Sequence, residues 1–259
     1  MRDKVAVIYG NGAIGSEIAL TFALHGAAVY LAGRTEAKLQ QIHEKATSKG
    51  VHINTKLVDA LDEKSVETHL NEIIKEKGKI DISFNTIGIS QIGIQGKPLT
   101  DISPDNFLKP VSVYLRSHFI TTKAALIHMI KNNNGVILMH VPNASRISPP
   151  FVGGMVPAWS ALEGLCKSIS TENGQHNVRS VCLLTTGIPE TPLIDEVWEI
   201  HGKAHGMAFE EFHASMESGT HRNQLTTLKE LSYGAVFAAS DESTSISGTT
   251  LNLTAGMII

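Results

Sequence analysis

Seven short apolar runs recur along the chain: VAVIY (5–9), AVYLA (28–32), INTKLV (53–58), IDISFN (80–85), VILMHV (136–141), VRSVCLL (178–184) and TLNLT (250–254). Each is rich in β-branched residues and bounded by turn formers, the mark of a buried strand. The segments between them carry helical periodicity. Ile14, Ile18 and Phe22 share one face, and Leu162, Leu165, Cys166 and Ile169 follow the i, i+3, i+4, i+7 pattern. Strands separated by helices pair in parallel through right-handed crossovers. The expected fold is therefore α/β: a Rossmann-type, doubly wound, seven-stranded and mainly parallel sheet with helices on both faces. At 259 residues and 42% apolar, the chain can bury one full core, so a single domain over 1–259 is expected. Only 188–224 lacks a firm assignment, and it reads as a lid over a substrate site.

Charge narrows the partners. A formal net charge of -3 with no block of like charge gives no electrostatic case for nucleic acid or an anionic membrane. No apolar run approaches the roughly 18 residues of a membrane span, and Met1 leads directly into a strand, so a soluble cytoplasmic protein is expected. Cys166 and Cys182 form no C-x-x-C pair and read as reduced, packed thiols.

GNGAIG at 10–15 is a G-x-G-x-x-G pattern set directly after a strand and at the start of a helix. Gly10 permits a tight turn, Gly12 lets backbone approach a pyrophosphate, and Gly15 lets helix and strand pack closely. With Asn11, Ala13 and Ile14 these residues form the candidate cradle at a helix N-terminus, where N–H groups point at phosphate. An acid about 20 residues on would hold an adenosine ribose, yet the end of strand two reads Ala32, Gly33, Arg34. A guanidinium there suits a 2'-phosphate through forked, charge-assisted contacts, so NADP is favoured over NAD. Glu36 is the fallback acid for a ribose hydroxyl.

These segments, in this order, resemble the short-chain dehydrogenase/reductase family over nearly the whole chain. The landmarks are GNGAIG, LAGR, Asp59 after strand three, NTIG at 85–88, TGIPETP at 186–192 and SDESTSISGTTLNLTAG at 240–256. The glycine loop is one residue shorter than the family's T-G-x-x-x-G-x-G. The resemblance implies an NAD(P)-dependent oxidoreductase that forms a homo-oligomer, a tetramer or a dimer. It implies that Asp59 and Ala60 approach the adenine, that Asn85 and Gly88 lie along the cofactor, and that Gly187, Ile188 and Thr191 contact its nicotinamide half.

The family's catalytic serine, tyrosine, lysine and helix asparagine are a different matter. Matching GVILMHVPNAS to strand five and SALEGL to the following helix puts Pro142, Met155, Trp159 and Tyr114 at those four positions; a gap of four would put Trp159 and Glu163 at the tyrosine and lysine instead. In the family the phenol exchanges a proton while hydride moves, and the ammonium lowers its pKa. Methionine, proline and indole cannot do this, so ordinary carbonyl reduction by that route is not expected.

Substitutes are few. Tyr114 and His118 stand one helical turn apart and could pair as an acid; packing of His118 at a subunit interface is the other reading. Asn143, Ser145 and Arg146 follow strand five at the carboxyl end of the sheet and, with Met155, are candidate substrate contacts, Ser145 also a weak catalytic candidate. His140 alternates into strand five and reads as a core histidine. His201, His205, His213 and His221 lie in the lid, but no carboxylate or cysteine spacing supports a metal, and none is expected. Two functions survive: an NADP-dependent oxidoreductase with a non-standard site, acting on an iminium or polarised C=C that takes hydride without a strong acid, and a catalytically inactive nucleotide-binding sensor or partner subunit.

Overall fold

The computed structural model describes residues 1–203 and 206–259. One seven-stranded sheet runs through it, built from β1 (Val5–Tyr9), β2 (Ala28–Gly33), β3 (Ile53–Leu57), β4 (Ile82–Asn85), β5 (Gly135–Pro142), β6 (Val178–Thr185) and β7 (Thr249–Leu253). Their order across the sheet is β3-β2-β1-β4-β5-β6-β7, and every pair is parallel. The expected strands are found within two residues at each end.

Parallel strands need both faces covered, and the helices divide accordingly. Helices α1 (Ala13–Leu24), α2 (Glu36–Ser48) and α9 (Leu228–Ala239) close one face around Ile18, Phe22 and Leu31, whereas α3 (Glu63–Lys77), α4 (Pro104–Lys131) and α6 (Met155–Asn173) close the other around Leu70, Met139 and Leu162. Their ends are written locally. Asp62 caps α3 by accepting from Lys64 and Ser65 N–H, and Gly78 ends it in the left-handed conformation at φ 76°. Thr227 and Glu230 form a reciprocal capping box on α9.

The segment read as a lid is largely helical. After β6 the chain forms α7 (Pro192–Val197), a wide turn at Trp198–Gly202, and α8 (Phe209–Ser218). A one-turn helix α5 (Ala144–Ile147) follows β5. Both cysteine thiols are free and buried. Among the described residues no helix is long and apolar enough to cross a membrane.

Candidate functional site

The carboxyl ends of β1, β2 and β4 meet at the glycine loop. Gly10 takes φ 103°, a backbone position that disfavours a side chain, and its N–H donates to Ala32 O at 2.8 Å, tying the loop to β2. A Cβ on Gly15 would lie 1.8 Å from Gly10 O, so this glycine is what lets α1 start so close to β1. Gly12 differs from both. It caps α1 with extended φ of -78°, and a Cβ there would meet nothing within 4 Å. No side chain caps the first turn of α1. The opening N–H groups of a helix have no intrahelical acceptor, so an anion is the natural occupant of the space above Gly12.

Asn11 bridges the cradle to the adenosine side. Its Nδ2 donates to Thr35 O at 2.8 Å, and its side chain fills the place where a Cβ on Gly33 would fall 2.4 Å from Asn11 Cγ. Arg34 next to it is exposed and makes no ion pair among the described residues. Asp59 turns its carboxylate to Leu61 N–H at 3.0 Å, shaping the turn after β3, with Ala60 buried beside it. Asn85 is buried: Nδ2 donates to Thr121 Oγ1 at 3.2 Å and Oδ1 accepts from Ile87 N–H at 3.0 Å. Its side chain thus supports the turn after β4 from within, and three residues on a Cβ at Gly88 would meet nothing within 4 Å.

Beyond the cradle lies a cavity of about 560 Å³ roofed by α7 and α8. Ile14, Gly187, Ile188 and Thr191 contribute to its wall, which joins it to the cofactor side. The rest is mostly apolar, with Gln91, Gln95, His140, Asn143 and His201 among its polar groups. Two latches close the roof. Glu196 of α7 accepts hydrogen bonds from Ser90 Oγ at 2.9 Å and from the Gln91 and Ile92 N–H groups, and His201 bonds Gln95 Oε1 at 2.8 Å.

Of the four positions matched to the family's catalytic residues, three stay together and one is set apart. Pro142 and Trp159 line the cavity, whereas the Met155 side chain is fully buried in the core between sheet and helices. A substrate contact through Met155 is thereby corrected. Tyr114 is buried, which pushes its pKa up to about 12, and its hydroxyl faces the Ile89 N–H and the Trp159 indole. His118 does not pair with that phenol. Its Nδ1 lies 2.8 Å from the Tyr114 backbone carbonyl, and burial lowers its pKa to about 4. Burial penalises charge on either group, so the two move away from neutral-pH proton exchange in opposite directions.

Ser145 and Arg146 are also reassigned. Ser145 Oγ donates to Glu163 Oε1 at 2.9 Å, and Arg146 pairs with Glu163 at 2.8 Å and donates to Thr250 Oγ1 at 2.7 Å. They staple α5 to α6 and β7. Of the trio after strand five, Asn143 lines the cavity, its Nδ2 2.5 Å from Met257 Sδ. Glu163 and Glu196, which do the holding, carried no local sequence signal. His140 stands two residues before Pro142 on β5, and side chains two apart share a strand face. The core reading of His140 is corrected by its place on the cavity wall. Of the lid histidines, His201 bonds Gln95, His213 lies 3.6 Å from Glu217, and His205 falls outside the described residues. Among the described residues no group of three His, Cys, Asp or Glu could hold a metal ion.

A glycine-rich helix start on a doubly wound sheet, beside a cavity at the carboxyl ends of β5 and β6, is the arrangement in which folds of this type bind dinucleotides. The family model described as enoyl-(acyl carrier protein) reductase matches residues 9–258, and the chain belongs to the short-chain dehydrogenase/reductase family of NAD(P)-dependent oxidoreductases. It is 27% identical over 259 residues to the uncharacterized oxidoreductase YxbG of Bacillus subtilis, covering 100% of this chain and 92% of that one. Its fold is similar to that of NAD+-bound xylitol dehydrogenase, with a TM-score of 0.91 at 21% identity over 98% and 99% of the two chains. The same holds for an actinorhodin polyketide ketoreductase with NADPH, at TM-score 0.88 and 19% identity over 98% and 97%.

Proposed function

We propose that the chain is an NADP-dependent oxidoreductase whose active site works without the family's serine, tyrosine and lysine, the whole of 1–259 forming one domain with 188–224 as its lid. The observation that carries this reading is the open position at Gly12 beside a roofed, largely apolar cavity. The residues present fit a dinucleotide: a Cβ at Gly12 would stand in otherwise empty space, and uncapped N–H groups face that space. Gly10 to Gly15 hold the pyrophosphate, Arg34 the 2'-phosphate, and Gly88, Gly187, Ile188 and Thr191 flank the nicotinamide, which gives or takes a hydride when bound.

The chain's own groups do the rest. α7 and α8 roof the cavity with apolar side chains, which lowers the polarity around the polar groups inside it. Pro142 and Trp159 put apolar surface where proton-handling groups stand in the family, so proton exchange falls to the substrate, to water or to other cavity residues. Leu108, Phe119 and Ile127 of α4 are exposed apolar side chains, consistent with a homo-oligomer formed through that helix.

Calorimetric titration with NADPH and NADH tests the cofactor assignment. NADPH is expected to bind more tightly, and Arg34→Ala is expected to bring it to the level of NADH, because a forked contact to phosphate is lost. Equal affinities in the parent protein, or a preference for NADH that survives Arg34→Ala, would overturn it.

A further inference from the structure

The polar groups of the cavity differ in what they leave unsatisfied. His201 and Gln95 bond each other, and Asn143 Nδ2 is turned to Met257 Sδ. His140 is held on one side only. Its Nε2 lies 2.8 Å from Thr185 Oγ1, and the Thr185 hydroxyl spends its one proton on Thr186 O, also at 2.8 Å. A hydroxyl that donates to the Thr186 carbonyl meets a ring nitrogen only as an acceptor, and this arrangement pairs with the imidazole N–H on Nε2. Nδ1 is then a bare lone pair, and no group among the described residues donates to it. The buried Gln91 Oε1, on the same cavity, is a second acceptor without a partner.

Resting on the reading of this cavity as the substrate site, we propose that His140 sets its specificity: Nδ1 accepts a hydrogen bond from the hydroxyl of an otherwise apolar molecule, and Thr185 holds the ring in the tautomer that permits it. The physical case is one of complementarity. Burial, together with the nearby His118, keeps the ring neutral by lowering its pKa to about 4, so it offers an acceptor rather than a charge. An alcohol satisfies the lone pair. The corresponding ketone has no donor and leaves a polar atom unpaired against an apolar wall, which is where a hydrogen-bonding site discriminates most strongly. Sheet register makes the arrangement: His140 of β5 is the direct partner of Leu183, placing Thr185 two residues further along β6, on the same face and within reach.

The test uses a bicyclic secondary alcohol, 2-decalol, against its ketone, 2-decalone, titrated calorimetrically into the full cofactor-free chain. The alcohol is expected to bind about tenfold more tightly, the worth of one neutral hydrogen bond. His140→Phe is expected to remove that ratio, and Thr185→Val to reduce it by freeing the ring to take the other tautomer. Nitrogen-15 NMR of the parent protein gives an independent reading: an unprotonated Nδ1 whose resonance moves on adding 2-decalol and stays on adding 2-decalone. Failure of 2-decalol to bind saturably, equal or tighter binding of the ketone, a protonated Nδ1, or a ratio unchanged in His140→Phe overturns the proposal. NADPH is titrated into the same proteins. Retained NADPH affinity alongside any of those outcomes leaves the oxidoreductase reading standing while the hydroxyl assignment falls; lost NADPH affinity in the parent protein brings down the former.

Discussion

Replacing Gly12 with valine separates nucleotide binding from folding. The position has φ of -78° and ψ of -173°, which any residue adopts, and a Cβ there meets nothing within 4 Å. Losing glycine's freedom in the unfolded chain stabilises by about 0.4–1 kcal/mol, and losing a tolerable cap residue costs about as much, so net stability should change by less than about 1 kcal/mol. For a chain of this size that is a shift in Tm of about 2–4 °C at most. Binding is another matter. The valine methyls occupy the space into which the first N–H groups of α1 point. Displacing a pyrophosphate from two such charge-assisted hydrogen bonds, each worth about 1.5–3 kcal/mol, weakens NADPH by about 100-fold or more. Thermal melts and calorimetric titration of the two proteins side by side give both quantities. Gly15→Ala is the contrasting control, because its Cβ would lie 1.8 Å from Gly10 O and should lower Tm. If Gly12→Val binds NADPH as the parent does, the loop is not the phosphate site; if it unfolds, the space above Gly12 is not free.

Trp159 has one N–H donor, which faces the Tyr114 hydroxyl, so it gives the nicotinamide ribose none of a lysine's contacts; 2'-phospho-ADP-ribose is expected to bind within about 2 kcal/mol of NADPH, and a larger gap measured by calorimetry refutes this. Stability should fall on acidification. His69, His118 and His140 have pKa values lowered to about 4 by burial, so the unfolded chain binds more protons below pH 6.5, and each group removes about 2 kcal/mol of stability by pH 5. Urea unfolding at pH 7.5 and pH 5 measures this, and equal stabilities would contradict it. Glu196→Ala removes the acceptor shared by Ser90, Gln91 and Ile92, and is expected to speed hydrogen exchange in 90–92 and α7 while leaving the core strands unchanged.

Residues close in sequence spoke for themselves. The strands, the crossovers and the glycine turn depend on alternation, β-branching and glycine spacing within a few residues, and these patterns are legible without any partner. Parallel pairing follows from the same local facts, because a helix between strands leaves room for little else, whereas the strand order is seen only in the folded sheet. Tertiary structure decided which polar side chains face the cavity. Ser145 and Arg146, read as substrate contacts, are drawn to Glu163, 18 and 17 residues away, and the phenol and imidazole of Tyr114 and His118 part because the imidazole finds a backbone carbonyl first. His140 meets Thr185 across 45 residues, and His201 meets Gln95 across 106. Such contacts are fixed by strand register and by the packing of a roof on the sheet's carboxyl edge. One histidine on a strand reads the same from sequence whether its second nitrogen ends in core or in open space, since only the distant segment that packs beside it makes the difference.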